Sequence, residues 1–310
     1  MLTNREVILA KIETTYGTDS VPVEATNAIL VENIGWSNEG LRMNERPAVR
    51  QNIGMLQQVY GGTLRSITFD CELKGAGGAV DDVPEFGPLL RACGFGETIN
   101  AASDVQYAPV STGHESITIY YFQDGIRHTM TGCIGNVSVN LETGALGKMS
   151  FTFTGHLVGV TDVALPSTPV YQTNVPPPII NTPFSIGGYS AVINALAFDM
   201  SNTVATPPDM SASDGYSEIR ITSRDVQGSY DPEAVIVATD DPFTDLAQGN
   251  TLAVTTGVIG SAVGNRFQLD MPAAYYRDVS PGDRDGIRTY DIPLGFVDSS
   301  GDDEVNITFT

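Results

Sequence analysis

Polar and apolar residues alternate along several segments of the chain with a period of two. In the clearest segment, polar positions separate four apolar residues, Ile67, Phe69, Cys71 and Leu73. The same alternation recurs in segments 137–142 and 150–154. A strand with this pattern turns one face to a core and the other to water or to a partner. The chain is therefore predicted to be mainly β.

Turn signals join these strands into antiparallel hairpins. Asp124-Gly125, between two apolar runs, is the typical signal of a two-residue hairpin turn. Segment 143–147, Thr-Gly-Ala-Leu-Gly, has the composition of a longer hairpin loop.

Two short segments carry helix signals. Segments 84–94 and 241–249 have an acidic residue or proline near the start, an apolar stripe, and glycine at the end. Proline suits the first helical turn and glycine suits the residue after the last one. The residues expected to pack these helices on the sheet are Phe86, Leu89, Leu90 and Cys93 in the first helix, and Phe243 and Leu246 in the second.

A proline-rich stretch divides the chain. Residues 161–185 contain the run Pro176-Pro177-Pro178, which favours an extended, semi-rigid spacer. We therefore predict a first β domain at residues 1–160 and a second at 186–310, each with one flanking helix. The order of strands, polar loop, helix and closing hairpin is similar in both, which suggests duplication. The first half is expected to have an extra hairpin near Ile117–His128, and the second a longer insertion at Arg277–Gly286.

Charge and composition exclude some functions. The 310 residues include 16 Lys and Arg against 37 Asp and Glu, a net charge of −21. Holding a nucleic-acid backbone or an anionic membrane needs clustered basic residues. The N-terminus lacks the features of a secretory signal, and no apolar run approaches the ~20 residues needed to span a bilayer. The three cysteines form no C-x-x-C pair, so we predict reduced, buried thiols and synthesis in a cytoplasm.

Candidate chemistry is sparse. None of the three histidines, His114, His128 and His156, has a second ligand at metal-binding spacing, so surface or strand-facing roles are expected. The glycine-rich segment 75–78 lacks the Lys-Ser/Thr of a phosphate loop. The acidic segments 283–286 and 298–304 lack the spacing of a calcium loop and are interpreted as solvated turns. We predict no enzyme activity, and no catalytic, cofactor or metal site.

Five segments from both ends and the middle of the chain are distinctive, namely 10–22, 27–31, 86–95, 176–191 and 282–286. Together they resemble a known family, the major tail tube proteins of long-tailed, non-contractile (siphovirus-type) bacteriophages. It implies tandem β-sandwich or barrel domains, and rings that stack into a hollow tube through which phage DNA passes. The chain would then be a structural virion protein that resides in the phage tail after synthesis in the host cytoplasm.

The resemblance also implies partners. These are further copies of the chain, the tape measure protein, and the tail terminator and distal tail proteins, with DNA passing through without specific binding. The long loop 38–63, which contains Arg42, Arg46 and Arg50, would reach the neighbouring subunit or ring. A solvated loop is the alternative interpretation of that segment.

Tube proteins of this kind usually form six-fold rings from single-domain subunits, so a two-domain chain would form a trimer with pseudo-six-fold symmetry. A hexamer is the alternative. The polar faces of long strands could line the lumen, and the candidate lumen-facing acids are Asp70, Glu72, Glu142 and Asp225. They could equally face outside solvent. Residues 161–310 carry a net charge of −14 against −7 for residues 1–160, so the second half should contribute more negative potential.

Two other functions fit the sequence. One is a different structural protein of tandem β-sandwiches, such as a capsid decoration protein or an adhesin. The other is a hydrolase on a β scaffold that acts on glycans through paired carboxylates.

Overall fold

The structure is a computed structural model that describes residues 2–310. Its strands and helices, numbered in chain order, are β1 Glu6–Ile12, β2 Ala28–Ile29, β3 Glu32–Glu39, β4 Met43–Asn44, β5 Val59–Tyr60, β6 Leu64–Glu72, α1 Gly87–Ala92, β7 Phe95–Asn100, β8 Asp104–Pro109, β9 Ile117–Gln123, β10 Ile126–Glu142, β11 Lys148–Asp162, β12 Ser185–Ile186, β13 Ile193–Asp199, β14 Thr203–Ala205, β15 Arg220–Ser223, β16 Gln227–Pro232, α2 Pro242–Gln248, β17 Leu252–Thr255, β18 Phe267–Tyr276, β19 Ser280–Arg284, β20 Ile287–Phe296 and β21 Asn306–Phe309.

The prediction of a mainly β protein is confirmed, and the strands pair antiparallel. Both predicted hairpins are present. Asp124 and Gly125 have φ values of 34° and 111° and link β9 to β10. Two positive φ values in succession are the geometry that favours Asp-Gly at such a turn. The loop 143–147 joins β10 to β11, the longest strand pair of the fold.

Both predicted helices form, with small differences. α1 begins at Gly87, three residues later than the first proline suggested, and Phe86, Leu89, Leu90 and Cys93 are all buried. α2 has the predicted ends, since the Asp241 side chain accepts from Thr244 N and Gly249 adopts the left-handed conformation. Leu246 packs against the core, whereas Phe243 is 47% exposed and contacts the edge of Tyr290.

The two halves share one strand order. In the first half, neighbouring strands follow the order β3–β6–β11–β10–β9–β1. In the second half the order is β13–β16–β20–β18–β17–β12. In both, the helix falls in the connection that follows the second of these strands, β6 or β16. The two halves therefore share the order of their elements along the chain and also the order of their neighbouring strands in the sheet.

The registers of the halves agree as well. A bulge falls between the pairs Met130–Ile119 and Cys133–Ile117 of β10 and β9. The matching bulge falls between the pairs Met271–Val254 and Ala274–Leu252 of β18 and β17. Bulges of this kind add one residue to one strand at a defined place. Because the two bulges lie at the same place in their strand pairs, each residue of one sheet can be matched to a residue of the other.

This alignment corrects two predictions. The segment near Ile117–His128 is not the extra hairpin, because β9 corresponds to β17. The element without a counterpart in the second half is the hairpin β7–β8. β17 has only four residues, so its alternation is too short to stand out in the sequence. The prediction of an insertion at 277–286 is also wrong, because this segment forms β19 and its turn, and β19 pairs with β20 as the last residues of β10 pair with β11.

The halves are joined at two places. The last residues of β10 pair with β13, and β8 pairs with the C-terminal strand β21. One hydrophobic core includes residues of both halves. Within the predicted linker, Ile179 and Phe184 are buried in that core, so this part of the segment packs against the sheets. The division into two domains remains a prediction.

Three further features bear on function. Cys71, Cys93 and Cys133 are free and buried, as predicted. Neither helix in the described chain has the length and hydrophobicity needed to cross a membrane. Within residues 2–310, no group of three or more His, Cys, Asp or Glu side chains is placed to hold a metal ion.

Candidate functional site

A continuous polar surface runs across both halves of the protein. It follows from strand registers, since residues directly opposite in adjacent strands lie in one row and share a face. We call it the polar face and define it by two rows, Asp70–Ser150–Ser138–Asp199–Gln227 and Glu72–Lys148–Asn140–Ala197–Ser229. Along each strand, the residues that alternate with these rows point to the opposite face. Buried examples on that face are Phe69, Phe151, Val139, Phe198 and Tyr230.

Hydroxyl and amide groups surround the acids of this face. Asp70 accepts hydrogen bonds from Asn33 Nδ2 at 2.8 Å and from Ser150 Oγ at 2.6 Å. Asp199 in the second half accepts from Asn136 Nδ2 at 2.7 Å and from the Ser201 backbone N–H at 2.6 Å. These bonds hold each carboxylate against the sheet, so neither is a freely moving side chain.

Two of the candidate acids have basic partners. Lys74 Nζ lies 3.2 Å from Glu72 and donates to the carbonyl oxygen of Gln172 at 3.1 Å. Lys74 is buried, so part of this edge of the face is covered by residue Gln172 of the linker segment. Asp225, two residues before β16, pairs with Arg277 at 2.6 Å.

Two further charged residues of the face are not buried. Glu142 is exposed at the end of β10. Lys148 pairs with Glu32 at 2.6 Å, and this hydrogen bond raises the pKa of the Lys148 ammonium. All four predicted acids therefore lie on or next to the polar face, together with Asp199, which the sequence analysis missed. Asp199 follows the apolar Phe198 in the same alternation, and that pattern was the available signal.

The loop 38–63 has an anchored base and an exposed tip. At its base, β4 pairs with β5, and the Arg42 guanidinium lies 4.1 Å from the centre of the Tyr216 ring. Arg42 also donates to the carbonyl oxygen of Gly215 at 3.1 Å. Near the tip, Arg50 donates to the carbonyl oxygens of Gly54 and Met55, and Arg46 is exposed.

The tip of this loop is apolar. Val49, Ile53 and Met55 are almost fully exposed, although each is a residue type that normally packs. Exposed apolar residues grouped in one segment typically mark an interaction surface. The base of the loop thus belongs to the protein's own fold, and only the tip is free to contact something else.

The histidines occupy structural positions. His156 Nδ1 lies 2.6 Å from Asp214, and His156 Nε2 lies 3.0 Å from the hydroxyl of Tyr16, which accepts from the Ile219 backbone N–H at 2.7 Å. This chain of contacts connects β11 to the loop between β14 and β15, and burial raises the pKa of Tyr16. No local sequence pattern indicates this chain of contacts, because its partners are far apart along the chain.

The other two histidines are also held by neighbours. His128 packs against Tyr121 and Trp36, and burial, assisted by the charge of Arg65, lowers its pKa. His114 Nε2 lies 2.9 Å from the carbonyl oxygen of Val110.

The acidic segments act as turns and ion pairs. In the segment 298–304, Asp303 accepts from the backbone N–H groups of Ser299 and Ser300, while Arg224 binds Asp302 and Glu304. In the segment 283–286, Asp283 accepts from the Gly286 N–H at the tip of the β19–β20 hairpin.

The fold and these surfaces define a structural β protein. A comparison with protein-family models then places the chain in one family. The chain belongs to the phage tail tube protein family, because the family model described as phage tail tube protein matches residues 3–310. A comparison with curated proteins gave no significant match. The protein is therefore a structural component of the phage tail that self-assembles into a tube, and it is not an enzyme.

Proposed function

We propose that this protein forms rings that stack into a hollow tube and that the tube conducts phage DNA into the host. The polar face carries this proposal, because it extends without interruption across both halves and is backed by one hydrophobic core. In a ring, such a face provides a continuous wetted wall. A DNA duplex in the lumen would then meet hydroxyl, amide and carboxylate groups rather than apolar side chains.

The ring contains three copies with pseudo-six-fold symmetry. The support is the shared strand order of the halves and the coincident bulges, which make each copy supply two similar units. Three copies then present six units around the axis, and cyclic closure limits sideways growth. Six copies would present twelve units and would need a much wider ring.

The wall repels DNA weakly, so DNA slides without adhering. The face is net acidic because it carries the candidate lumen acids Asp70, Glu72, Glu142 and Asp225, with Asp199. Lys74, Lys148 and Arg277 offset only part of this charge. Salt screens charges over about 8–10 Å, so the repulsion acts only close to the wall. A basic lining would instead retain the phosphate backbone by counterion release.

The remaining partners follow from the position of a tube in a tail. The tape measure protein is one further partner, and the tail terminator and distal tail proteins cover the two ends. The exposed tip of loop 38–63 contacts the neighbouring subunit or ring through Val49, Ile53 and Met55. The protein is made in the host cytoplasm and then incorporated into the virion tail.

Electron microscopy of the purified protein tests this function, together with a mass measurement on isolated rings. Microscopy should show hollow stacked rings. Each isolated ring should have the mass of three chains of 33.0 kDa. A mass of six chains would overturn the trimer. Monomers or rings that never stack would overturn the tube assignment and favour a capsid decoration protein or an adhesin.

A further inference from the structure

The contact between the two halves provides a template for the contact between copies. Residues 138–142 of β10 pair antiparallel with residues 195–199 of β13, and we call this pairing the internal seam. Its ladder is flanked by hydrogen bonds from Thr143 N to Asn194 O at 2.9 Å and from Met200 N to Val137 O at 3.1 Å.

Each side of the internal seam has a counterpart elsewhere in the chain. Ser138 of β10 lies opposite Ser150 of β11. When the two halves are aligned on their matching bulges, Asp291 of β20 takes the position of Ser150. Ser280 lies opposite Asp291, so β19 occupies in the second half the position that residues 138–142 occupy in the first. By the same alignment, β3 in the first half corresponds to β13, with Trp36 in the place of Phe198.

Both counterparts have an open edge. In the described chain β19 pairs with β20 alone, and β3 pairs with β6 alone. The consequence is visible in two equivalent side chains. Phe198 is 2% exposed because the internal seam covers it, whereas Trp36 is 46% exposed. An open edge with an exposed aromatic residue is a place where another strand can add.

A buried arginine next to this edge supports the same conclusion. Arg65 lies 4.0 Å from the centre of the Trp36 ring and is buried, yet its Nε and Nη1 atoms have no hydrogen-bond acceptor within residues 2–310. Unpaired buried donors are rare and call for an explanation. Its counterpart at the internal seam is the apolar Val226.

We propose that β19 of one copy pairs antiparallel with β3 of the next copy, with Ser280 opposite Ser37, Pro281 opposite Trp36 and Asp283 opposite Ile34. This inference rests on the proposed ring and specifies the interface that closes it. The seam between copies repeats the geometry of the internal seam, so the eight strands from β3 to β19 continue around the ring. Acceptors on the incoming hairpin receive hydrogen bonds from the Nε and Nη1 groups of Arg65.

The two kinds of seam differ in strength. At the internal seam Val139 and Leu141 are buried, whereas Pro281 and Asp283 occupy those positions in β19. Proline has no N–H group, so the Pro281–Trp36 pair makes one backbone hydrogen bond instead of two. The hairpin β7–β8 reinforces the internal seam, because β8 pairs with β21 of the second half. The second half has no counterpart of this hairpin to reinforce the seam between copies. The ring should therefore separate between copies and not within them.

Cysteine cross-linking tests the register. The double variant Ser37→Cys/Ser280→Cys places two thiols across a non-hydrogen-bonded pair, where the Cα atoms are close enough for a disulfide. Oxidation of assembled protein with copper phenanthroline should give covalent dimers and trimers and no longer species. The pair Asn140→Cys/Ala197→Cys at the internal seam is the positive control and should close within one chain. Asn38→Cys/Ser280→Cys is the negative control, because its side chains lie on opposite faces of the sheet.

The outcomes separate the two proposals. Tubes that form without cross-linking at Ser37 and Ser280 would overturn the strand pairing and leave the tube function intact. Cross-linked ladders longer than three copies would overturn the trimer and keep the strand pairing. Failure of the wild-type protein to form rings or tubes would contradict the proposed function itself.

A measurement on the wild-type protein avoids the risk that a variant fails to assemble. Trp36 is the only tryptophan of the chain, so its fluorescence reports on this edge alone. Its emission should shift to shorter wavelength when dissociated copies assemble, because β19 of the next copy covers the ring. Tubes that form with no spectral shift would contradict the pairing.

Discussion

The carboxylate of Glu13 accepts a hydrogen bond from the backbone N–H of Gly132 at 2.8 Å, across the bulge of β10. It also accepts from Ser116 Oγ, Thr118 Oγ1 and the Gly17 N–H, all within 2.9 Å. A buried carboxylate with four donors fixes the N-terminal segment to the sheet. These four hydrogen bonds are the physical reason for an acidic residue at position 13, within the segment 10–22.

Replacement of Glu13 should therefore be costly. Glu13→Ala leaves the buried donors of Ser116, Thr118 and Gly132 without an acceptor and should lower the free energy of unfolding by roughly 3 kcal/mol or more. Urea denaturation followed by circular dichroism measures this. Glu39→Ala, at an exposed position, is the matched control and should change stability by less than about 0.5 kcal/mol. Equal effects of the two substitutions would contradict the role assigned to Glu13.

Arg224 should stabilise the contact between the halves. Its guanidinium lies 2.9 Å from Glu304, also binds Asp302, and donates to the carbonyl oxygen of Val110 at 3.0 Å. Arg224→Met leaves the largely buried Glu304 carboxylate without its basic partner and should cost about 2–4 kcal/mol. A double-mutant cycle with Glu304→Gln should show a coupling energy clearly above zero, and strict additivity would argue against the pairing.

His128 should make stability depend on pH. Burial lowers its pKa below the ordinary 6.5, so the unfolded chain binds a proton more readily than the folded chain. Its contribution is therefore present above pH 6.5 and is lost as the pH falls toward the folded-state pKa. Denaturation of the wild type and of His128→Gln at pH 5.5 and 7.5 measures this. The wild type should lose more stability on acidification, and parallel losses would contradict the prediction.

The exposed loop tip should matter for assembly and not for folding. The triple variant Val49→Ser/Ile53→Ser/Met55→Ser removes apolar surface that packs on nothing in the single chain. Its stability should stay within about 1 kcal/mol of the wild type, because exposed positions contribute little. Electron microscopy should show short or absent tubes. Tubes of normal length would show that the tip is only a solvated loop.

The charge of the polar face should govern DNA passage. Glu142→Lys, at an exposed position of this face, should leave assembly intact and slow genome ejection from complemented phage. Glu24→Lys makes the same charge change on a loop that contacts Thr168 of the linker segment. It should have no effect on ejection, which is measured as the rate of DNA release. Equal behaviour of the two variants would indicate that Glu142 lies outside the lumen.

Local signals in the sequence correctly predicted the long strands of the first half and both helices. Alternation identified β6, β10 and β11, because each has one buried face and one wetted face over many residues. Asp241 and Gly249 correctly predicted the ends of α2, since cap and stop residues act within one turn of the helix. The same signals placed the start of α1 too early, because Pro84 belongs to a preceding turn.

Pairing between distant segments was less visible. The hairpin β7–β8 was not predicted. The prediction that β9 belongs to an extra hairpin is wrong, because only the sheet reveals that β9 and β17 are equivalent. The contact of His156 with Asp214 joins residues 58 positions apart and leaves no local pattern. The partners of Asp70 and Glu72 also come from other strands or from the linker segment.

The sequence by itself determined the strands, their turns, the acidic balance and the polar alternation, because these depend on neighbouring residues and on solvent. Only the tertiary structure decided which strands lie side by side. It joined the rows of two halves into one polar face, and it left the edges of β3 and β19 open. Those outcomes depend on hydrogen bonds between segments far apart in the chain, and a local pattern does not specify such partners.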